Sequence, residues 1–393
     1  MSHSDRMSHQ AELPATTLEL RSTVTSDRRL VLTLEAVAIS PPQGDEVVVA
    51  VEAAPLNPSD LGLLLGPADL STMTVEGRAD EPRLTFSVPE SAMAALSARI
   101  DQPMKVGNEG AGTVVAAGPA ARHLIGRKVG MFGGAMYTQF RTLPAADCVV
   151  LPEGASAADG ASMFVNPLTS LAMVETMRAE GHRALVHTAA ASNLGQMLNR
   201  LCLADGVPLV NIVRSDRQAE LLRSAGARLV VDSNGVNFAQ DLEDAIAATG
   251  ATIAFDAVGG GRLAHAILHA MERSLSRAAG AYSRYGSATH KQVYVYGSLD
   301  PGPTVLERTY GMAWSVGGFL LTPFLERIGP AGAARLRDRV VAGLKTTFAS
   351  HYTATISLRE MLEPRHLTAF ARRATGEKYL VDPSRDYGAF HSG

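Results

Sequence analysis

From Ala184 to Gly297 the chain alternates short apolar runs with longer amphipathic stretches, and this alternation restricts the fold more than any single motif. The strand-like runs are Ala184–His187, Pro208–Val213, Arg228–Val231, Ile253–Ala257 and Val293–Gly297. Between them, Gly195–Ala204, Gln218–Ala225, Asn237–Thr249 and Arg262–Met271 repeat apolar residues at helical spacing. Strands joined by helices of this size predict a doubly wound parallel sheet. Two more helical stretches, Asp159–Met163 and Pro167–Arg178, lead into it.

In such a sheet the turn after the first strand is where a pyrophosphate lies. Here it reads Thr188-Ala-Ala-Ala-Ser-Asn-Leu-Gly195. The tight positions of a G-x-G-x-x-G fingerprint fall at Ala189 or Ala190, at Ser192 and at Gly195, and only the last is glycine. Small side chains still let a phosphate approach the backbone, and the following helix start presents N–H groups and the positive end of its dipole. Ala191, Ser192, Asn193, Leu194 and Gly195 are the candidate phosphate contacts, with the Ser192 and Asn193 side chains as further donors. By itself the turn also fits any strand–turn–helix unit; the flanking alternation is what favours a dinucleotide.

The second strand ends at Val213, about the usual twenty residues on, where an acidic residue would hold a ribose 2′-hydroxyl. The chain has Arg214-Ser-Asp-Arg instead. A guanidinium pairs with phosphate through two parallel hydrogen bonds, so Arg214, with Ser215 and Arg217, points to NADPH over NADH. Asp216 reads either as a displaced ribose acid or as the cap of the helix near Gln218. Asp256-Ala257-Val258-Gly259 and Tyr296-Gly297-Ser298-Leu299 close the fourth and fifth strands, at the crevice where a nicotinamide would lie.

The first part, residues 11 to about 165, reads as short strands with Gly and Pro turns, which favours a small barrel-like β domain. Asn57-Pro-Ser-Asp suits the start of a short helix. Glycines 107, 110 and 112 around Glu109 predict a turn entering a closely packed strand; no helical stretch follows them, so a phosphate loop is disfavoured. Residues 66–102 read as an insertion over one face, either a lid near the substrate or a solvated excursion, with a helix-like stretch from Glu90 to Ile100. His182 and His187 read as structural or exposed, since neither has a Ser or Cys partner suggesting a triad.

Composition narrows the partners. A net charge of −3 over 393 residues gives no reason to expect nucleic acid or an anionic membrane surface. No apolar run reaches the roughly 18 residues that span a bilayer. The polar first ten residues lack a secretory apolar segment and are expected to be mobile. The two cysteines, Cys148 and Cys202, form no close pair, which argues against a disulfide framework or zinc cluster and for a cytoplasmic location.

These segments, with Val106-Gly-Asn-Glu-Gly-Ala-Gly, Asn166-Pro-Leu-Thr, Gly318-Phe-Leu-Leu and Thr375-Gly-Glu-Lys-Tyr-Leu, follow one another in the order of a known family. The chain resembles the medium-chain dehydrogenases/reductases, in the zinc-free branch of quinone oxidoreductases and enoyl-thioester reductases. The resemblance implies a GroES-like catalytic domain, residues 11–165 and 326–393, and a Rossmann NADP-binding domain, residues 166–325. It implies that Asn166 and Thr169 sit by the nicotinamide ribose and that Tyr296–Leu299 with Phe319, Leu320 and Leu321 flank the nicotinamide. It further implies that Lys378 reaches the cofactor.

Two departures stand out. Ser59 and Asn108 occupy the regions of zinc ligands and the four-cysteine loop is missing, so no metal is expected. No Tyr occurs from 61 to 102, where the enoyl-thioester reductases carry their proton donor. The expected reaction is hydride transfer from NADPH to an activated double bond of an enone or enoyl thioester. The alternatives are quinone reduction and a non-catalytic NADPH-binding sensor. Tyr137, Asn57 and Asp60 are the polar candidates for catalysis, Tyr137 reading first as a packed residue. A small-molecule substrate is expected. So is a homodimer through sheet-edge strands near Val293–Tyr296 and Val316–Leu321, although the latter run also reads as a buried internal strand.

Overall fold

The computed structural model describes residues 13–78, 81–372 and 377–387; the leading polar residues and Thr375 and Gly376 of the C-terminal motif lie outside them. The chain divides into two compact units, one running to Val165 and resuming at Ala349, the other spanning Asn166–Phe348.

The first unit opens with β1 (Thr16–Val24), β2 (Arg29–Ala38), β3 (Glu46–Pro55) and the short helix α1 (Pro58–Leu64). It continues through β4 (Asp69–Arg78), β5 (Glu81–Ser87), the one-turn α2 (Glu90–Met93), β6 (Met104–Lys105), β7 (Glu109–Ala117), β8 (Lys128–Phe132), β9 (Phe140–Pro144), β10 (Cys148–Val150) and α3 (Ala157–Gly160). These strands form two sheets, in the orders β4-β5-β2-β1-β6 and β10-β8-β7-β3, with β9 also on β3. The returning C-terminal chain adds two more strands and a helix, described below. Alternate apolar residues of both sheets, among them Leu20, Leu32, Val49, Val51, Leu84, Phe86, Val114 and Met131, form one continuous core.

Residues 66–102 are not an insertion laid over a face. β4 and β5 are an antiparallel hairpin whose second strand pairs with β2, and Leu84, Phe86 and Val88 are buried. The helix-like stretch is reduced to the single turn of α2 and a 3₁₀ turn at Ser97–Arg99. The hairpin was hidden because β4 is an outer strand with no fully buried residue, so its Ser, Thr, Glu and Arg side chains show no alternation.

The second unit begins with α4 (Val165–Ala179, its first residue the last of the other unit). Then follow β11 (Leu185–His187), α5 (Asn193–Asp205), β12 (Leu209–Val213), α6 (Asp216–Ser224), β13 (Leu229–Asp232), α7 (Phe238–Thr249) and β14 (Ile253–Asp256). It is completed by β15 (Gly259–Gly261), α8 (Leu263–Ala279), β16 (Lys291–Val295), β17 (Asp300–Thr304), β18 (Trp314–Gly318) and α9 (Leu321–Ala342). The main sheet has the order β13-β12-β11-β14-β16-β18 with every pairing parallel. Counted along the chain this is 3-2-1-4-5-6, the doubly wound Rossmann order. Val186, Val210, Ile212, Ala254 and Val293 pack one sheet face against Leu242, Ile246, Ile267 and Met271 of α7 and α8.

This unit runs past residue 325, the expected boundary, to Phe348. Asp205 at the end of α5 takes both Arg178 and Arg339, and Arg200 donates to the Thr347 carbonyl at 2.8 Å, which holds α9 and its exit to this unit. The first unit is then completed by β19 (Ala354–Ile356), α10 (Pro364–Ala371) and β20 (Tyr379–Val381), with β20 antiparallel to β3. The sheet-edge expectation also needs correction. β16 lies between β14 and β18 and is internal, so of the two expected strands only β18 lies at an edge.

Close strand packing in the first unit makes a quantitative prediction. A Cβ on Gly112 would stand 1.9 Å from the Ala50 carbonyl oxygen, whereas one on Gly62 of α1 meets nothing within 4 Å. Gly112→Ala should therefore cost about 2–3 kcal/mol, while Gly62→Ala should gain up to about 1 kcal/mol from helix propensity. Urea unfolding of the two variants measures both, and equal effects would contradict the packing described.

Candidate functional site

At the carboxyl ends of β11 and β14 the strand order reverses direction, leaving a crevice between the turns that follow them. Those turns are tied together by Asp256, which is fully buried. Its Oδ1 accepts from Thr188 Oγ1 at 2.7 Å and from the Val258 amide at 2.9 Å, and its Oδ2 accepts from the Gly259 amide at 3.2 Å. Thr188 Oγ1 in turn accepts from the Ala257 amide at 2.8 Å. Asp256 is therefore the brace of the crevice, and the amides of Ala257, Val258 and Gly259 are engaged within the protein.

The turn after β11 is as tight as its small residues imply. Ala189 has φ of +48°, a left-handed conformation that glycine adopts freely and alanine at a cost of about 1–2 kcal/mol. Gly195 is required by contact instead: a Cβ there would lie 2.2 Å from the Ala190 carbonyl oxygen. Ser192 is the N-cap of α5, its Oγ accepting from the Gly195 amide at 3.1 Å. Its lone pair holds the helix start, which leaves only its hydroxyl hydrogen for a phosphate. The turn thus presents small residues and a capped helix N-terminus, features that fit a pyrophosphate.

Arg214 follows β12 on a fixed backbone: its amide donates to Gln218 Oε1 at 3.1 Å, and its carbonyl accepts from Asn234 Nδ2 at 2.9 Å. Its side chain is exposed and makes no ion pair among the described residues, and Arg217 is exposed beside it. Ser215 caps α6, and Asp216 stands in the first turn of that helix. Asp216 is therefore not the cap, and its carboxylate lies where a helix dipole favours it.

Val295, Tyr296, Gly297, Ser298, Gly318, Phe319, Leu320 and Pro323 line an open groove of about 480 Å³ at the ends of β16 and β18. Phe319 packs edge-on against Phe255 with ring centroids 5.1 Å apart. Leu299 and Leu320 are exposed at 42% and 67%, whereas Leu321 is buried at the start of α9. Asn166 and Thr169 are buried on the first turns of α4. Neither residue reading nor resemblance had singled out His187 for a role. It is fully buried, and its Nε2 lies 2.8 Å from Tyr296 Oη.

A second cluster of buried polar groups lies inside the first unit. Asp60 accepts from the Asn57 amide and from the Asn108 amide, both at 2.8 Å. Asn57 Nδ2 donates to Glu109 at 2.9 Å, and the other Glu109 oxygen accepts from the amides of Phe164 and Val165 at 2.8 and 2.9 Å. Tyr137, also fully buried, donates to the Pro55 carbonyl at 3.1 Å. Lys378 Nζ donates to Ser162 Oγ at 2.7 Å and lies over the Tyr352 ring. Burial raises Asp60 to about 7 against the two backbone hydrogen bonds, and burial lowers Lys378 to about 8 although Glu109 and Asp60 oppose it.

Among the described residues no group of three or more His, Cys, Asp or Glu could hold a metal ion. Asn108 Nδ2 donates to Ser59 Oγ at 3.0 Å, so these two positions hold an amide–hydroxyl pair in place of thiolate or imidazole. No helix among them is long and apolar enough to cross a membrane.

No family model matches the chain. Over 234 residues, 58% of its length, it is 27% identical to a mycocerosic acid synthase-like polyketide synthase of Mycobacterium tuberculosis, covering 10% of that protein. Over 206 residues it is 25% identical to a mitochondrial enoyl-[acyl-carrier-protein] reductase of Caenorhabditis elegans, covering 51% of each chain. The chain thus spans about half the length of the curated enoyl reductases it matches and a tenth of the synthase. Among solved structures, a candidate NADPH:quinone reductase from Mesorhizobium loti shares 25% identity at a TM-score of 0.71, over 95% of this chain and all of that one. The CurK enoyl reductase has the same fold at a TM-score of 0.66, with 15% identity over 93% of this chain and 99% of that one. In fold and in sequence the chain is similar to proteins described as NADPH:quinone reductases and enoyl reductases.

The raised Asp60 yields a pH prediction. Between the ordinary carboxyl value of 3.8 and about 7, the folded protein holds a proton that the unfolded chain has released. The Asp60 contribution to stability is therefore full below the lower value and declines as pH rises to the upper one. Urea unfolding across this range should show that decline in the parent protein and a flatter profile in Asp60→Asn; identical profiles would contradict a raised Asp60.

Proposed function

We propose that this chain is an NADPH-dependent oxidoreductase that reduces an activated carbon–carbon double bond, as in an enone or enoyl thioester, without zinc. The single observation that carries the reading is the exposed Arg214, without an ion pair among the described residues, at the end of β12 in a 3-2-1-4-5-6 parallel sheet. In this reading the α5 start and the residues Ala191–Gly195 hold the pyrophosphate. Arg214, flanked by Ser215 and Arg217, pairs with the 2′-phosphate. Asn166 and Thr169 contact the ribose, and the walls of the groove, with Leu299, Leu321 and the turn Ala257–Gly259, enclose the nicotinamide. Bound there, NADPH supplies a hydride.

The chain's own contribution is to hold the ring and exclude water around it, positioning being the larger part of catalysis in such a reaction. Asn57, Asp60 and Tyr137 are assigned a holding role, because each is buried and already hydrogen-bonded within the first unit. Lys378, expected from the resemblance to reach the cofactor, is assigned to the same buried cluster of the first unit. A homodimer through β18, a small-molecule substrate and a cytoplasmic location belong to this reading; its two cysteines are free.

Quinone reduction is the second reading. It is favoured by the 25% identity with the Mesorhizobium protein over its whole length and by the absence of a tyrosine in residues 61–102. A screen of NADPH oxidation over enones, enoyl thioesters and quinones separates the two. Turnover of the alkenes supports the main reading and turnover of quinones alone the second, while tight NADPH binding without turnover on any compound would leave a non-catalytic binding protein. Arg214→Ala should weaken NADPH by about 10–100-fold, the worth of a charge-assisted phosphate contact, and NADH by little. Equal losses would refute the 2′-phosphate assignment.

A further inference from the structure

The His187–Tyr296 pair lies beside the groove and is not explained by cofactor holding alone. The imidazole is completely buried, its Nε2 is 2.8 Å from Tyr296 Oη, and its Nδ1 has no hydrogen-bond partner among the described residues. The two rings are stacked at 5.8 Å between centroids. Burial pushes His187 down to about 3, so the ring is neutral and carries one hydrogen. An orphaned buried N–H is rarer in folded proteins than an under-satisfied acceptor. The hydrogen therefore belongs on Nε2, pointing at the phenol oxygen, with the bare lone pair at Nδ1.

That tautomer determines what the phenol does. With its oxygen accepting from His187, Tyr296 keeps its own hydrogen for another acceptor. Asp256 does not take it: its carboxylate oxygens accept from Thr188, Val258 and Gly259, and among the described residues no side-chain hydrogen bond joins it to Tyr296. Tyr296 lines the open groove.

We propose that His187 is a positioning residue that turns the Tyr296 hydroxyl into a hydrogen-bond donor for a carbonyl oxygen of the molecule bound in the groove. The ligand half of this inference rests on the proposed reductase function, which offers two such oxygens: the nicotinamide carboxamide and the carbonyl conjugated to the reducible double bond. The tautomer half stands independently of it.

The test has two parts. Nitrogen-15 NMR of histidine-labelled, ligand-free protein, with the His187 signals assigned by their loss in His187→Gln, reads the tautomer directly. Hydrogen on Nε2 is expected; hydrogen on Nδ1 overturns the proposal whatever the protein binds. Tyr296→Phe should then weaken one ligand about 5–10-fold, the worth of one neutral hydrogen bond. A weaker Kd for NADPH alone identifies the carboxamide, while a raised KM for the enone at unchanged NADPH affinity identifies the substrate carbonyl. No loss in either arm overturns the proposal.

His187→Phe should reproduce the tyrosine loss, and His187→Gln, which keeps an N–H donor, should restore most of it; a merely structural role would not separate these two. Failure of the parent protein to bind NADPH would refute the reductase reading and leave the tautomer result standing.

Discussion

The second unit depends on one buried carboxylate at the point where its sheet changes direction. Asp256 takes three hydrogen bonds from the turns after β11 and β14, and Thr188 carries the link in both directions. A buried charge is tolerated when its lone pairs are satisfied, and deleting one partner of such a set commonly costs several kcal/mol. The brace sets the spacing of the crevice that would receive a dinucleotide. It also places the end of β11, with His187, within reach of Tyr296 beyond β16. Loss of the brace would therefore disturb the tight turn, the capped start of α5 and the groove together.

The parallel sheet could be read from sequence because its central strands are covered on both faces. Such strands appear as continuous apolar runs, and all five expected runs lie within a residue or two of strands. The hairpin at β4 and β5 could not be read this way. An outer strand bearing Ser, Thr and Glu has neither an apolar run nor a buried face to reveal its period. The extension of the second unit to Phe348 was hidden for a different reason: it depends on ion pairs and a backbone contact between residues far apart in sequence, such as Arg339 with Asp205.

The candidate site was legible where chemistry is local. Ser192 three residues before Gly195, and Arg214 directly after an apolar run, are signals contained in a few neighbouring residues. Thr188 with Asp256 and His187 with Tyr296 are separated by 68 and 109 residues, so only the folded sheet brings them together. Asn57, Asp60 and Tyr137 show the reverse. Their polar character attracts a catalytic reading, and the fold binds them instead into a buried network with Glu109. In this network the cap of α1, the start of β7 and the chain at Phe164–Val165 share one set of carboxylates.

The central claim is that this crevice binds a dinucleotide carrying a 2′-phosphate. Calorimetric titration of the unmodified chain with NADPH and, separately, with NADH tests it most directly. The account predicts saturable one-site binding of NADPH, at least about tenfold tighter than NADH, with the difference shrinking as salt screens the exposed guanidinium. Equal affinity for the two nucleotides, or no binding of either, would contradict it.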